Sequence, residues 1–333
     1  MEKYVNMESP LTGGKVKEVT AVETHEFRKE RYKVHVRYYV CEDTGERFST
    51  TEQDTLLFND LYSQYRIRHG IPFPDEIRTV RERYSLSYSG ISRILGFGTN
   101  QYALYEKGQM PSESNGKMIA AIKNKSTMLS MLTDSKDEFS DEEYGRLYRS
   151  ISEAADMQIQ EEKDILIFYR HARRSIFNGF GKPDPQKLTE MVKFFLCRQE
   201  KTFPTKLNKE MFYADFYHYK QYGMSISGLT YRAVQFGPVP DRYATIYDNI
   251  NSIKKETVLS HDMESTVMSC HEYDKSVFTP QETETLEKVF NTVNSMSTSE
   301  IIKESHKEDA WLNYHNGNKI IPYSEAFTLK LFM

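Results

Sequence analysis

The chain has no apolar run approaching the ~18 residues of a bilayer-crossing helix, and its start has neither the basic cluster nor the apolar stretch of a secretory leader. These absences favour a cytoplasmic protein with no membrane partner. Cysteine is scarce: the three residues Cys41, Cys197 and Cys270 are far apart in sequence and odd in number, which suits a reducing compartment better than a disulfide framework. A Gly-rich loop of the Walker or dinucleotide type is missing, so no phosphate-bearing cofactor is expected. Candidate acid–base groups occur only as sequence neighbours, His306 with Glu304, Glu308 and Asp309, and Cys270 with His271. Neither set has an identifiable second partner, and the expectation is a protein without catalysis.

The 333 residues suffice for two or three domains, and 28% charged with 38% apolar residues is an ordinary soluble composition. Net charge is only −4, but it is unevenly spread. Leu61 to Lys125 carries ten Lys/Arg against five Asp/Glu, the local excess that a phosphate backbone attracts. Lys136 to Asp164 carries ten acids against four bases.

The most legible stretch is Lys187 to Asp241. Leu188, Met191, Val192 and Phe195 fall on one helical face. Phe212, Tyr213, Phe216, Tyr217, Tyr219 and Tyr222 leave almost no polar side, which predicts a helix wrapped by other elements. Gly223 is the expected helix stop, and Pro238 and Pro240 predict an irregular connecting path. The strings KLTEMVKFFL, TKLNKEMFYADFYHYKQYG and ISGLTYRAVQFGPVP, with the later ESHKEDAW, resemble the Panacea domain of SocA-like antitoxins over residues 177–333. That resemblance implies a mostly helical domain that binds and neutralises a toxin protein. Tyr231, Arg232 and Gln235 are its candidate toxin contacts, and His306 beside Trp311 reads as structural.

Val16 to Phe48 alternates β-formers, notably Tyr32, Val34, Val36, Tyr38 and Val40, and predicts a small antiparallel ribbon followed by a helix over Thr50 to His69. SPLTGG and VCEDTGE resemble the zinc ribbon of MqsA-like antitoxins. Ser9, Thr12 and Thr44 stand at three of the four expected cysteine positions and only Cys41 remains, so residues 1–70 read as a metal-free relic ribbon with its following helix.

Residues 71–132 read as a helix-turn-helix. Pro74 to Tyr84 forms the first helix, Ser87 caps the second, Thr99 caps the third after the Gly96 and Gly98 turn, and Pro111 and Ser112 open a fourth. The closing YEKG adds to the resemblance to MqsA-like repressors. Thr99, Asn100, Gln101 and Tyr102 are then the base-reading candidates, and Arg78, Arg81, Arg93 and Lys107 the phosphate contacts.

Residues 133–176 read as an acidic helical connector, with Ser126 to Asp141 as a polar boundary and Ile165, Phe168 and Tyr169 on its second helix. Further on, Tyr243 to Ile253 has helical spacing, Thr257 to Leu259 and Thr266 to Cys270 suggest a strand pair, and Thr279 to Glu282 and Ser297 to Glu300 are capping boxes. The fold class is mainly α with minor β. The implied role is a bacterial or phage type II antitoxin, homodimeric on its operator DNA and bound to a cognate toxin. A stand-alone transcriptional regulator and a proteolysis adaptor remain as alternatives.

Overall fold

The computed structural model describes residues 2–154, 172–250, 252–260 and 263–332. These divide into two compact units, one formed by Met1–Leu61 with Glu162–Met333 and the other by Tyr62–Glu161. The division differs from boundaries at 70, 132 and 176, because the N-terminal ribbon joins the C-terminal half and the acidic segment as far as Glu161 joins the helical unit. The described elements are mainly helical with small antiparallel sheets, the α+β class that the patterning implies.

In the first unit, β1 (Glu2–Glu8), β2 (Lys15–Phe27), β3 (Glu30–Cys41) and β4 (Arg47–Phe48) form an antiparallel sheet in sequence order. Alternation in β3 buries Tyr32, Val34 and Val36. The β2–β3 hairpin closes through Arg28 and Lys29, both at positive φ. A two-residue turn of that hand favours Asn-Gly, so the sequence carried no signal for it. α1 (Thr51–His69) follows, with Leu56, Asp60 and Leu61 buried.

The ribbon packs on the domain built around the aromatic helix. Its His35 ring stacks on Phe327 at 4.1 Å, its Arg37 guanidinium donates to the Lys220 carbonyl, and Asn59 of α1 donates to the Tyr222 carbonyl at 3.1 Å. Gly223 lies at that junction: it ends the helix at φ +73°, and a Cβ there would sit 3.2 Å from Asn59 Cβ.

The centre of this unit is α9 (Pro204–Tyr222), buried on nearly every side, as its aromatic content predicts. It is flanked by α8 (Pro185–Leu196), which Asp184 caps, and by α11 (Pro280–Val293) and α12 (Thr298–Ser305). Both of the latter open with the expected capping boxes, Thr279 with Glu282 and Ser297 with Glu300. Gly237–Pro240 is a regular strand, β6, paired with β5 (Tyr231–Val234), in place of the expected irregular path. The sheet order is β6-β5-β9, where β9 is Ile320–Ile321, so the two prolines lie on an edge strand, where a missing N–H is tolerated. α10 (Tyr243–Asp248) stops before Ile250, earlier than the spacing suggests. The expected strand pair is the hairpin β7 (Lys254–Ser260) and β8 (Met263–Ser269), and α13 (Asp309–Leu312) precedes β9.

The second unit is all helical among its described residues: the end of α1, then α2 (Pro74–Arg83), α3 (Tyr88–Ile94), α4 (Gln101–Glu106), α5 (Glu113–Ala121), α6 (Lys125–Asp134) and α7 (Asp141–Glu153). Ile77, Tyr84, Ile91, Tyr102, Ile119 and Ile122 form its core, with Met128, Leu132 and Ile151 added from α6 and α7. The segment expected as a polar boundary is therefore the packed helix α6, whose buried face is only two side chains wide. Ile165, Phe168 and Tyr169 lie outside the described residues. No described helix is long and apolar enough to cross a membrane.

Candidate protein and nucleic-acid interfaces

In the helical unit, Ser87 Oγ accepts from Gly90 N and caps α3, as expected. α4 starts later than predicted. Its N-cap is Asn100, not Thr99, and that side chain makes no capping hydrogen bond. Thr99 and Asn100 are thus exposed ahead of the helix, with Gln101 half-buried and hydrogen-bonded to Gln109 at 3.3 Å. These three side chains lie together at the N-terminus of α4.

Two other candidates are placed differently. Tyr102 is fully buried and its hydroxyl donates to the Ile77 carbonyl at 2.9 Å, so it is a core residue and not a base contact. Burial also pushes its phenol pKa up. Arg81 makes a bidentate pair with the buried Glu106, Nε to Oε1 at 2.6 Å and Nη2 to Oε2 at 3.1 Å, and covers the Tyr88 ring. The Glu106 hydrogen bond raises its pKa further, and its charge is already satisfied within the fold. Arg81 ties α2 to α4 and is not a phosphate contact. Arg93 is paired with Glu143 at 2.9 Å, Arg78 is exposed but reaches Glu106 at 3.8 Å, and Lys107 is exposed. The glutamate was missed because YEKG reads as a polar helix end, and only packing shows that Glu106 faces inward.

In the other unit, one carboxylate organises the segment between α9 and β5. Asp215 is fully buried and accepts from Ile226 N at 2.9 Å, Ser227 N at 2.8 Å, the Ser227 hydroxyl, and Tyr231 Oη at 2.7 Å. Burial, opposed by these bonds, pushes its pKa up to about 6. Tyr231 therefore belongs to the core, contrary to its assignment as a toxin contact. Arg232 is part-exposed and pairs with Asp241 at 2.8 Å, and Gln235 is exposed on the β5–β6 turn.

That turn is held from below. Lys209 of α9, fully buried, donates to the Pro238 carbonyl at 2.9 Å, and its burial pulls the amine pKa down to about 7. A Cβ on Gly237 would lie 2.4 Å from Ser305 Oγ and 2.6 Å from Lys209 Cε, so only glycine lets the turn sit this close. Trp311 donates to the Val234 carbonyl at 2.8 Å and is sandwiched between His306 at 3.9 Å and His315 at 4.3 Å. Burial lowers the His306 pKa. Glu308 fixes the C-terminal segment by accepting from Lys330 N at 2.7 Å and Leu331 N at 3.1 Å. The turn held in this way exposes Phe236 by 57%, and Leu312, which follows Trp311 in sequence, is 45% exposed. Phe236 was overlooked because it reads as part of the proline-rich scaffold string. An aromatic just ahead of a Gly-Pro turn was the available signal.

At the ribbon's end, two tight loops bring Ser9, Thr12 and Thr44 around Cys41, with Thr12 Oγ1 3.4 Å from its sulfur. Hydrogen bonds from the three hydroxyls pull the thiol pKa down to about 6. Three neutral hydroxyls and one thiolate do not match the donor set of tetrahedral zinc. Among the described residues, no group of three His, Cys, Asp or Glu side chains could hold a metal.

A central helix with buried polar groups, a proline edge strand and a tryptophan pinned to the adjoining hairpin mark a compact, mainly helical domain. Residues 207–312 match the family model described as antitoxin SocA-like, Panacea domain. The match runs from Leu207 in α9 to Leu312 in α13, about a third of the chain, and includes Lys209, Asp215, the β5–β6 turn and Trp311. Residues 207–312 are thus similar to a SocA-like antitoxin domain, a likeness that supports a toxin–antitoxin type of role. No curated protein and no solved structure matches the chain.

Proposed function

We propose that the protein is a type II antitoxin that neutralises a cognate toxin by direct contact through its Panacea domain and binds operator DNA through Thr99, Asn100 and Gln101 as a homodimer. The observation that carries this reading is the SocA-like match over a fully packed module. Neutralisation in it is occlusion or locking of a toxin protein in the cytoplasm, without chemistry. The Gln235–Phe236 turn with Leu312 and Arg232 is the contact surface, since exposed apolar side chains on a rigid support lose little entropy on binding. Arg78 and Lys107 supply phosphate contacts from the helical unit.

Co-expression with the product of each neighbouring gene tests the reading. One product should arrest growth alone and be silenced by the full chain. F236E should abolish rescue while keeping operator binding, and N100A/Q101A should lower operator affinity at least tenfold while keeping rescue. If neither neighbour is toxic, or F236E rescues as well as the parent, the assignment fails.

A further inference from the structure

Cys197 and Cys270 are separated by most of the Panacea domain in sequence and meet in space. Cys197 caps the C-terminus of α8, its N–H bonded to the Lys193 carbonyl at 2.8 Å. Cys270 follows β8 directly, and two contacts fasten its segment onto the α8 side of the domain. On one side Thr202 and Met268 exchange backbone hydrogen bonds of 2.9 and 2.8 Å. On the other, Asp274 N donates to Glu190 of α8 at 2.6 Å, and the same carboxylate pairs with Lys193 at 2.9 Å. Between these fastenings the two cysteines are neighbours and both interact with Lys193, while the Cys270 thiol donates to the Glu272 carbonyl at 3.2 Å.

We propose that Cys197 and Cys270 are a redox-modification site that closes to a reversible intramolecular disulfide on exposure to a two-electron oxidant of the peroxide class. The roles of the two sulfurs follow from their surroundings. Cys197 stands at a helix C-terminus, where the macrodipole disfavours a thiolate, and burial pushes its thiol up to about 12. It acts as the resolving partner. Cys270 is the attacking sulfur, next to the Lys193 charge. Its sulfur attacks hydrogen peroxide, breaking the O–O bond and forming a sulfenic acid, while the thiol proton and the displaced hydroxide leave as water. The Cys197 sulfur then attacks the Cys270 sulfur, its proton leaving with the hydroxyl as water. Two thiols and one peroxide thus give one disulfide and two waters, and a dithiol reductant reverses the change. The link joins the end of α8 to the end of β8 and encloses α9 and the β5–β6 turn in one covalent loop.

The full-length protein is oxidised with a small excess of hydrogen peroxide, its remaining thiols are alkylated, and the intact mass and peptide map are read. The expected result is a loss of about 2 Da, a fall in alkylatable cysteines from three to one, and a single linked peptide pair containing Cys197 and Cys270. The rate should not depend on protein concentration, dithiothreitol should reverse the product, and C41S should behave like the parent. C197S and C270S should each lose the link, with unchanged circular dichroism showing that they fold. Three alkylated cysteines after oxidation, a link through Cys41, a disulfide between two chains, or sulfinic acid on Cys270 beside a free Cys197 would each overturn the proposal.

Discussion

Replacing Asp215 by alanine removes the acceptor for two backbone N–H groups and two hydroxyls, all buried. An unsatisfied buried donor costs ~1–3 kcal/mol, so four cost ~8 kcal/mol at the middle of that range. The variant also relieves a burial penalty. The carboxyl's pKa is raised from 3.8 to about 6, equivalent to roughly 3 kcal/mol at neutral pH. The net loss expected for D215A is therefore about 5 kcal/mol, or a Tm lower by roughly 10–20 °C for a unit of this size. Asp215→Asn keeps an acceptor for the two N–H groups and should lose about half as much. The pH dependence separates the two contributions. Because the folded-state pKa lies above the unfolded value, the folded protein holds the extra proton between pH 3.8 and about 6. Stability of the parent relative to D215N should accordingly fall as pH rises through that window and stay level above it. Urea unfolding at pH 4, 6 and 8, followed by near-ultraviolet circular dichroism, measures both. A D215A loss below about 2 kcal/mol would refute the idea that this carboxylate holds the segment ahead of β5.

Three further outcomes are expected. Lys209 is neutral in the fold above its lowered pKa of about 7, while the unfolded chain keeps the proton up to 10.5, so stability should rise with pH across that interval in the parent and not in K209M; parallel urea curves at pH 7 and 9.5 would show otherwise. Glu106→Ala removes the buried carboxylate shared by Arg81, Arg78 and Tyr88 and should cost the helical unit roughly 3 kcal/mol, whereas R81M/E106M should recover part of it; thermal melts of the singles and the double read this, and a single-variant loss under about 1 kcal/mol would mean that water screens the pair. Glu210 is fully buried, its pKa is raised to about 7, and it keeps a 3.0 Å bond from Gln199 to one oxygen while the other has no partner, so E210Q should be at least as stable as the parent at pH 8 and lose that advantage at pH 5; a clear loss at pH 8 in chemical denaturation would contradict it.

Local chemistry explains what was legible from residues alone. The capping boxes at Thr279 and Ser297, the Ser87 cap, the Gly223 stop and the aromatic wrap of α9 are each written within a few neighbouring positions, and each appears as read. The readings that failed depend on partners far along the chain. Tyr102 and Arg81 look like surface residues until Ile77 and Glu106 are placed beside them, and Tyr231 looks available until Asp215 claims its hydroxyl. β6 was hidden because two prolines oppose a strand everywhere except on a sheet edge. α6 was hidden because its buried face consists of Met128 and Leu132 alone. The ribbon's docking onto α9 had no local trace, since Arg37 and Gln221 are 184 positions apart.

The order of synthesis gives that last separation a consequence. The helical unit, Tyr62–Glu161, is contiguous and has all its core residues once it leaves the ribosome. The ribbon and α1 emerge first, yet the surface they cover, from Lys220 and Gln221 to Phe327, emerges last. During translation the nascent chain therefore carries a finished helical unit while the apolar sheet face still waits for its cover. A ribosome that stalls or terminates before α9 releases a product with the helical unit folded and no completed Panacea domain, and in the proposed role that product occupies the operator while leaving the toxin unrestrained.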